Sequence, residues 1–389
     1  MEANLISKIK ELLNHGLIYG LTSSLQNLLG FILLPILTVY YTTAEFGIYS
    51  IILLVSTLAG SLFYFGASSA LGRFYFDEDS DAYRKKIVSS ALFITLVGAI
   101  ILILLSLFFG KYLSFLIFDS NIYYLHIFLA CSSSAFGFLL SLMTLILRYE
   151  KQSMLFMKVT LAGVIINFTL TYTLLSVFSF GILAPLYGSL LGYALSFFFL
   201  LIIKSSDFTL KFMFSDLKKI FFFGIQTSLA SFLFYFLDYV DRLILKELAP
   251  MSDVGIYSLG SKIGIVINIL LILPFTLIWA PMRMEYAHDN IEELTKKVFS
   301  YFVIIGFILV SVSILFGDDL MSFVFVNKEF AGASKVFPII MLALLFYSFQ
   351  NIVDFGIYLH KKIIFYSFIF ILIHSNNVKL KYRLVVHHT

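Results

Sequence analysis

The tetrapeptide Gly-Ile-Tyr-Ser occurs twice in this chain, within "EFGIYS" at residues 45–50 and within "SDVGIYS" at residues 252–258. The two copies are 208 positions apart, and each stands beside a long apolar run. Because four residues can recur by chance, the flanking sequences must decide whether the chain is duplicated. Self-similarity at one offset is the mark of a repeated structural unit.

The flanks repeat at nearly the same offset. The segment "SKIKELLNHGLIYGL" from Ser7 corresponds to "SDLKKIFFFGIQTSL" from Ser215, again 208 positions later. The segment "RFYFDEDSDAYRKKIVSS" from Arg73 corresponds to "RMEYAHDNIEELTKKVFS" from Arg283, at an offset of 210. These matches predict a tandem duplication of one large helical unit. We interpret the GIYS segment as a turn that starts the second span of each unit, with its Gly permitting a tight chain path and its Tyr at headgroup depth.

The composition places this chain in lipid. Hydrophobic residues make up 60% of it and charged residues only 13%, against about 25% charged residues in ordinary soluble domains. The single cysteine, Cys131, excludes an intramolecular disulfide and a cysteine-based metal cluster. The histidines show no metal-ligand spacing and no phosphate-binding loop is present, so we expect neither a metal, nor a cofactor, nor ATP coupling within this chain. Nothing in the composition indicates nucleic-acid binding.

Apolar runs long enough to cross a bilayer, about 20 residues each, recur along the chain. They predict ten full spans, at 16–40, 47–71, 87–109, 122–147, 154–178, 180–203, 220–245, 254–280, 298–316 and 336–359. An eleventh run begins at 363 and stops after 11 residues, which is too short to cross.

Lysine and arginine predict the orientation. With the N-terminus in the cytoplasm, seventeen of these residues lie in cytoplasmic segments and four in outer loops. Cytoplasmic loops carry the excess of positive charge, so we expect the N-terminus inside. Three further positive charges at 379–383 break this pattern.

The repeat also predicts the division of the chain. We expect an amphipathic cytoplasmic N-terminus at 1–14, a first lobe of six spans at 15–203, a linker at 204–219, a second lobe at 220–373 and an aberrant polar tail at 374–389. The second lobe is shorter than the first. The sequence therefore predicts a truncated copy of a twelve-span protein, in which the eleventh span is partial and the twelfth is missing.

Three segments together resemble a known family: "LPILTVYYTTAEFGIYS" from Leu34, "LGRFYF" from Leu71, and "LDYVDRLILKELAPMSDVGIYSLGSKIG" from Leu237. They look like the polysaccharide flippases of the O-antigen and capsule type. These belong to the multidrug/oligosaccharidyl-lipid/polysaccharide exporter superfamily, which also holds multidrug extruders and the lipid II flippase. The resemblance covers roughly residues 7–373.

The resemblance implies an all-α polytopic membrane protein in which two six-helix lobes form a V, as in multidrug and toxin extruders. It implies a non-enzymatic carrier of undecaprenyl-pyrophosphate-linked oligosaccharide, working by alternating access in the bacterial cytoplasmic membrane. Membrane lipids, the polysaccharide polymerase with its chain-length machinery, and a coupling H⁺ or Na⁺ are the partners that it implies. The short second lobe departs from the family pattern.

Charged residues inside the bilayer are costly and usually face a cavity or a partner. Lys262 lies well inside the eighth predicted span, and Ser258, Ser261 and Asn268 fall on the same face at 100° per residue. We interpret this stripe as a cavity wall whose cation attracts pyrophosphate or acidic sugars. The alternative is a buried lysine that is paired with a carboxylate.

Near the outer end of the seventh predicted span stand Asp238, Asp241 and Arg242. Asp238 and Arg242 are four residues apart and can pair on one helix face. Arginine also suits the forked recognition of phosphate oxygens. The open alternatives are substrate contact, an interfacial ion pair, or a pair between Asp238 and Lys262.

Further candidates lie closer to the cytoplasmic side. Arg73 ends the second predicted span, where a lipid pyrophosphate would arrive, although plain positive-inside anchoring explains it equally well. Gln26 and Asn27 place amides at membrane depth, where they make either interhelical hydrogen bonds or contacts to sugar hydroxyls. Asp354 is a candidate site for a coupling ion.

Three alternative functions remain open from the sequence. A cation or drug extruder of the same superfamily would favour buried carboxylates over the buried cations found here. A membrane enzyme of polysaccharide assembly would need a large outer loop or a histidine-centred site, and neither is present. The third alternative is an inactive truncated copy.

Overall fold

The computed structural model describes residues 2–209, 214–285 and 291–353, and over these ranges the chain is helical. It forms fourteen α-helices there: α1 Glu2–Tyr40, α2 Thr43–Phe63, α3 Ala67–Phe74, α4 Asp81–Phe118, α5 Tyr124–Tyr149, α6 Ser153–Ser176, α7 Leu183–Ile203, α8 Phe214–Leu248, α9 Met251–Gly264, α10 Leu273–Glu285, α11 Ile291–Leu315, α12 Gly317–Val324, α13 Ala333–Ser348 and α14 Gln350–Val353. Short 3₁₀ helices lie at Ser205–Asp207 and Lys328–Gly332, and a π-helical segment spans Asn268–Ile272.

The described residues contain ten helical segments that are long and apolar enough to cross a membrane, from Ile18–Tyr40 to Lys328–Ser348. Each overlaps one of the ten predicted spans. The prediction of an all-α polytopic membrane protein is therefore confirmed. The predicted eleventh run, Asp354 and the tail at 374–389 lie outside the described residues.

The contacts of the backbone divide the chain into two compact units. The first unit contains residues up to 36 together with 51–239. The second unit contains residues 37–50 and the described residues from 240 onward. The lobes at 15–203 and 220–373 stay a prediction of the sequence repeat.

A capping box begins α2. The backbone N–H of Glu45 donates to Oγ1 of Thr42 at 3.2 Å, and the backbone N–H of Thr42 donates to Oε2 of Glu45 at 2.9 Å. Residues 47–50 consequently lie inside α2, and residues 255–258 lie inside α9, which begins directly after Pro250. Our interpretation of GIYS as a turn is therefore wrong, because each copy lies inside a helix that has begun at an upstream residue.

The two GIYS glycines meet in the second unit. A Cβ atom on Gly255 would lie 1.9 Å from the carbonyl oxygen of Thr43, and one on Gly47 would lie 2.3 Å from that of Met251. The backbones of α2 and α9 are thus in direct contact at these positions. Small residues permit this close approach of membrane helices, which explains why both copies of the repeat carry Gly here.

The second predicted span, at 47–71, is not one continuous helix. It is broken between α2 and α3, where Phe65 has a φ of 51° and Gly66 a φ of 57°. A Cβ atom on Gly66 would lie 2.0 Å from the carbonyl oxygen of Gly224 in α8. Only glycine accepts both the left-handed backbone and this contact readily. We call residues 64–66 the kink.

Glycines also allow close helix contacts within each unit. In the first unit, a Cβ atom on Gly188 would lie 2.8 Å from the carbonyl oxygen of Asn167, so α7 packs directly on α6. In the second unit, Gly260 and Gly264 of α9 lie against Val336 and Ile340 of α13.

Candidate functional site

A cavity of about 440 Å³ lies in the first unit between α1, α2, α5, α6 and α7. Its polar lining is rich in hydroxyl groups, supplied by Ser23, Thr57, Ser134, Ser141, Thr144, Thr160 and Tyr193. The amide of Gln26 and the guanidinium of Arg148 complete the polar lining, and none of the lining residues is an aspartate or a glutamate. The cavity therefore offers many hydrogen-bond donors and acceptors with a single positive charge.

One face of α5 supplies much of this lining. Ser134, Ser141, Thr144 and Arg148 follow one another at steps of seven, three and four residues, which is the spacing of one helix face. By helical rise, Ser134 and Arg148 are about 21 Å apart along α5. The hydroxyl groups thus form a track that ends at the arginine.

Aromatic rings support the arginine. Its guanidinium lies 5.7 Å from the ring centroid of Phe156, and the ring of Tyr19 meets Phe156 edge-on at 5.2 Å. Nearby, Nδ1 of His15 lies 2.8 Å from Oγ of Ser153, which joins α1 to the start of α6. Arg148 is exposed, and among the described side chains it has no carboxylate within ion-pair distance. Its charge is available to a ligand.

The structure separates the two predicted amides of α1. Both side chains are exposed, but only Gln26 lines the cavity. Sequence reasoning missed Arg148 as a site residue, because it had been counted among the positive charges of a cytoplasmic loop. The face of hydroxyl residues on α5 was the signal that could have found it.

In the second unit, Lys262 contacts aromatic rings. Its ammonium lies 5.5 Å from the ring centroid of Phe46 and 5.4 Å from that of Tyr49, both in α2. Within the part of the chain that the structure describes, this ammonium has no carboxylate at ion-pair distance. Two cation–π contacts, about 0.5–2 kcal/mol each, hold the charge in place of a counter-ion.

Asp241 links α8 to α9. It is buried, it accepts a hydrogen bond from the hydroxyl of Tyr257, and its Oδ1 accepts one from the backbone N–H of Arg242 at 2.8 Å. Asp238 lies on the same helix and is exposed. Asp241 and its neighbour Arg242 thus lie beside α9, the helix that contains Lys262. We call Asp241, Arg242, Tyr257 and Lys262, with the two α2 rings, the cation cluster.

Asn268 lies beyond the regular part of α9. The α-helix ends at Gly264, and Asn268 begins the π-helical segment Asn268–Ile272. The shared face of Lys262 and Asn268 stays a prediction of the sequence. Ser258 and Ser261 are buried, while Lys262 and Asn268 are each half-buried.

Arg73 is not among the residues that line the cavity. Its guanidinium is 2.7 Å from Oδ1 of Asp77, and Nζ of Lys219 is 3.5 Å from the other oxygen of that carboxylate. Partial desolvation raises the pKa of Asp77, but the hydrogen bonds from Arg73 and Lys219 outweigh it and hold this pKa below its ordinary value. The side chain of Arg283, the counterpart of Arg73 in the repeat, lies outside the described residues.

The described residues thus have ten segments able to span a membrane, a helix break at Phe65 and Gly66, and a polar cavity inside the first unit. Solved structures share this fold. An inward-facing multidrug resistance transporter of the MATE family, in the MOP superfamily, matches with a TM-score of 0.61 at 15% identity, over 85% of this chain and 80% of its own. An outward-facing form matches with a TM-score of 0.60 at 15% identity, over 87% and 80%. A mutant of the Vibrio cholerae MATE transporter VcmN matches with a TM-score of 0.52 at 14% identity, over 88% and 83%.

The chain belongs to the polysaccharide biosynthesis protein family, which matches residues 12–287. A search among curated proteins found no match. The resemblance seen in the sequence is thereby confirmed for the family and for the MATE-like fold.

Proposed function

We propose that this protein carries lipid-linked oligosaccharide units across the bacterial cytoplasmic membrane for surface polysaccharide synthesis, with undecaprenyl pyrophosphate as the lipid carrier. The single observation that supports this most is the hydroxyl-rich cavity that ends at Arg148. Family membership supplies the link to polysaccharides, and the fold supplies the link to transport.

The chemistry of the cavity suits a sugar. Hydroxyl groups and the amide of Gln26 each donate and accept hydrogen bonds, as do the hydroxyls of a saccharide. Phe138, which also lines the cavity, offers an apolar surface for the C–H faces of sugar rings. Arg148 presents a planar fork of donors that matches two phosphate oxygens. The cavity thus provides for both parts of a glycosyl diphosphate.

The cation cluster supports an anionic substrate. Lys262 is held by aromatic rings, so its charge is not neutralised by a neighbouring carboxylate, and Arg242 lies beside it in α8. We propose that Lys262 and Arg242 receive the pyrophosphate or acidic sugars, that Asp241 positions Arg242, and that Asp238 and Asn268 contact the glycan. Arg73 and Asn27 do not line the cavity, and we propose for them a role in the approach of the substrate.

A drug or organic-cation extruder fits this site less well. Such a substrate would be stabilised by a carboxylate in the cavity, and the lining of the cavity contains none. A cationic ligand would also be repelled by Arg148 at the end of the hydroxyl track. The geometry therefore favours the glycan carrier.

The test is complementation with a matched pair of variants. Full-length chains carrying Arg148→Gln or Lys158→Gln are expressed in a bacterium that lacks its own O-antigen flippase, and surface polysaccharide is measured at equal protein level. Lys158 is an exposed cation on α6 that lies outside the lining of the cavity. We expect Arg148→Gln to lower surface polysaccharide at least about tenfold, and Lys158→Gln to leave it unchanged. Equal activity of the two variants would contradict the proposal.

The purified protein gives a second readout. Binding of a water-soluble oligosaccharyl diphosphate, which lacks the lipid, is measured by calorimetry on the wild type and on Arg148→Gln. We expect binding to the wild type that weakens about tenfold in the variant. Arg148→Lys should recover part of the affinity, because lysine keeps the charge and loses the fork.

A further inference from the structure

A second concave surface lies on the opposite side of the kink from the hydroxyl-rich cavity. It is an apolar groove of about 390 Å³ between α4 and the start of α8. Its walls are Phe93, Ile94 and Val97 of α4 and Phe221 and Phe222 of α8, with Phe65 of the kink between them. Lys218 is its one charged lining residue.

Close backbone packing builds this groove. A Cβ atom on Gly98 would lie 1.8 Å from the carbonyl oxygen of Phe63, so the end of α2 lies directly on α4. A Cβ atom on Gly224 would lie 2.1 Å from the carbonyl oxygen of Phe65, so α8 lies directly on the kink. Because α4 and α8 both pack closely at the kink, the larger side chains that precede Gly98 and Gly224 form the two walls of the groove.

The kink separates the groove from the cavity. The ring of Phe65 meets Phe221 of the groove edge-on at 5.4 Å. The ring of its neighbour, Tyr64, stacks on Phe138 of the cavity at 4.6 Å. Phe65 holds this position with a φ of 51°, a conformation that costs a residue other than glycine about 1 kcal/mol or more. The packing of the surrounding helices maintains this strained backbone between a polar space and an apolar one.

Charge distinguishes the groove from an ordinary lipid-facing surface. Lys218 lies about one turn before Phe221 and Phe222 in α8, and its ammonium is 5.9 Å from the ring of Phe222. The next residue, Lys219, is committed to Asp77 at 3.5 Å, whereas Lys218 has no ion pair among the described residues. The groove therefore offers an apolar surface with one available cation in its lining.

On these grounds, and resting on the proposed function, we propose that the groove between α4 and α8 binds the polyprenyl chain of the substrate, with Lys218 at its phosphate. The substrate has three chemically different parts. Its long apolar chain matches the apolar groove, its anionic diphosphate matches a cation, and its polar glycan matches the hydroxyl-rich cavity. The cavity suits the chain poorly, because an apolar chain offers no hydrogen bond to the amide and guanidinium groups of its lining. The groove gives it a place on the same unit while the glycan is in the cavity.

The test uses photolabelling of the full chain in lipid nanodiscs. The probe is undecaprenyl diphosphate with a photoreactive group near the end of its chain, and labelled peptides are identified by mass spectrometry. Val97→Trp fills the groove, and Leu105→Trp is the matched control, because both residues lie on α4 and each side chain is 37% exposed. Leu105 lies about two turns further along α4 and outside the groove.

We expect labels on the α4 and α8 walls of the groove, and labelling about tenfold lower in Val97→Trp than in Leu105→Trp. Unlabelled undecaprenyl diphosphate should compete, and the same excess of phosphatidylglycerol should not. Labelling that is equal in the two variants, or that phosphatidylglycerol displaces equally well, would overturn the proposal, since the groove would then hold bulk lipid.

Failure of this inference and failure of the proposed function give different results. Val97→Trp should still bind the water-soluble oligosaccharyl diphosphate with the affinity of the wild type, because that ligand has no chain. Binding of this ligand without labelling of the groove would refute only the groove. Absence of its binding to the wild type would refute the glycan carrier itself.

Discussion

Replacement of Gly255 by alanine tests the contact between the two copies of the repeat. The added Cβ would lie 1.9 Å from the carbonyl oxygen of Thr43, far inside van der Waals contact. The obstacle is backbone in a helix, so it cannot rotate away, and α2 and α9 must separate. Overpacking of this kind costs about 1–3 kcal/mol. Alanine also gains about 1 kcal/mol over glycine in a helix interior, which partly hides the clash.

Gly30→Ala isolates the clash. Gly30 also lies inside a long helix, α1, but an added Cβ there meets nothing within 4 Å. The two variants share the gain in helix propensity, so the difference in their unfolding free energies is the clash alone. We expect Gly255→Ala to be less stable than Gly30→Ala by about 1–3 kcal/mol.

Unfolding can be followed in detergent through the single tryptophan, Trp279, which is 2% exposed and lies in the second unit with Gly255. The midpoint and slope of an SDS titration give the free energy for each variant. Equal stability of the two variants would refute the reasoning, because α2 and α9 would then not be in backbone contact. A Gly47→Ala, Gly255→Ala double variant should lose less than the sum of the single losses, since one separation of the helices relieves both clashes.

Other predictions concern charge and exposure. Lys262→Met should lower surface polysaccharide at least about tenfold in the complementation assay while changing stability by less than about 1 kcal/mol, since no ion pair is broken. Lys204 is buried; desolvation lowers its pKa, but hydrogen bonds to Asp207 and Glu150 outweigh this and raise the pKa above the ordinary value. The hydrogen bonds of the charged Lys204 therefore stabilise the folded protein fully below about pH 10, and this stabilisation is lost as the pH rises through the raised pKa. Lys204→Met should lower the free energy of unfolding by about 1–3 kcal/mol at neutral pH. The difference from the wild type should disappear only in strong alkali. Cys131 is 2% exposed and should react with a polar maleimide only after unfolding; rapid reaction of the folded protein would contradict its place inside α5.

Most of the fold could be predicted from the sequence repeat and from the hydropathy of the chain. Ten apolar runs became ten spanning segments, because in lipid a backbone must satisfy its own hydrogen bonds and a helix does so locally. The break at the kink was not predicted, since the sequence there, Tyr64 to Gly66, remains apolar and gives no proline or polar signal. Its cause is the contact of Gly66 with α8, which lies more than 150 residues away in the chain.

The candidate site was less accessible to sequence reasoning. A glycine in a turn and a glycine at a helix crossing look the same in one dimension, and only the partner helix distinguishes them. Lys262 was recognised as a buried charge, but its partners, Phe46 and Tyr49, are more than 200 residues distant. Only the part of the cavity that lies on α5 could be read from local spacing, since the remaining walls come from four other helices.

The two copies of the repeat have diverged at the candidate-site positions. At the offset of 208, Lys262 corresponds to Leu54, so the cation of the second copy has an apolar counterpart in the first. In the opposite direction, Gln26 of the cavity corresponds to Phe234, so the amide of the first copy has an apolar counterpart in the second. A duplication that carried one kind of ligand equally in both halves would have kept these positions alike. The first copy thus combines hydroxyl groups with Arg148, and the second holds Lys262 among aromatic rings, as the proposed substrate with a hydroxylated part and an anionic part would require.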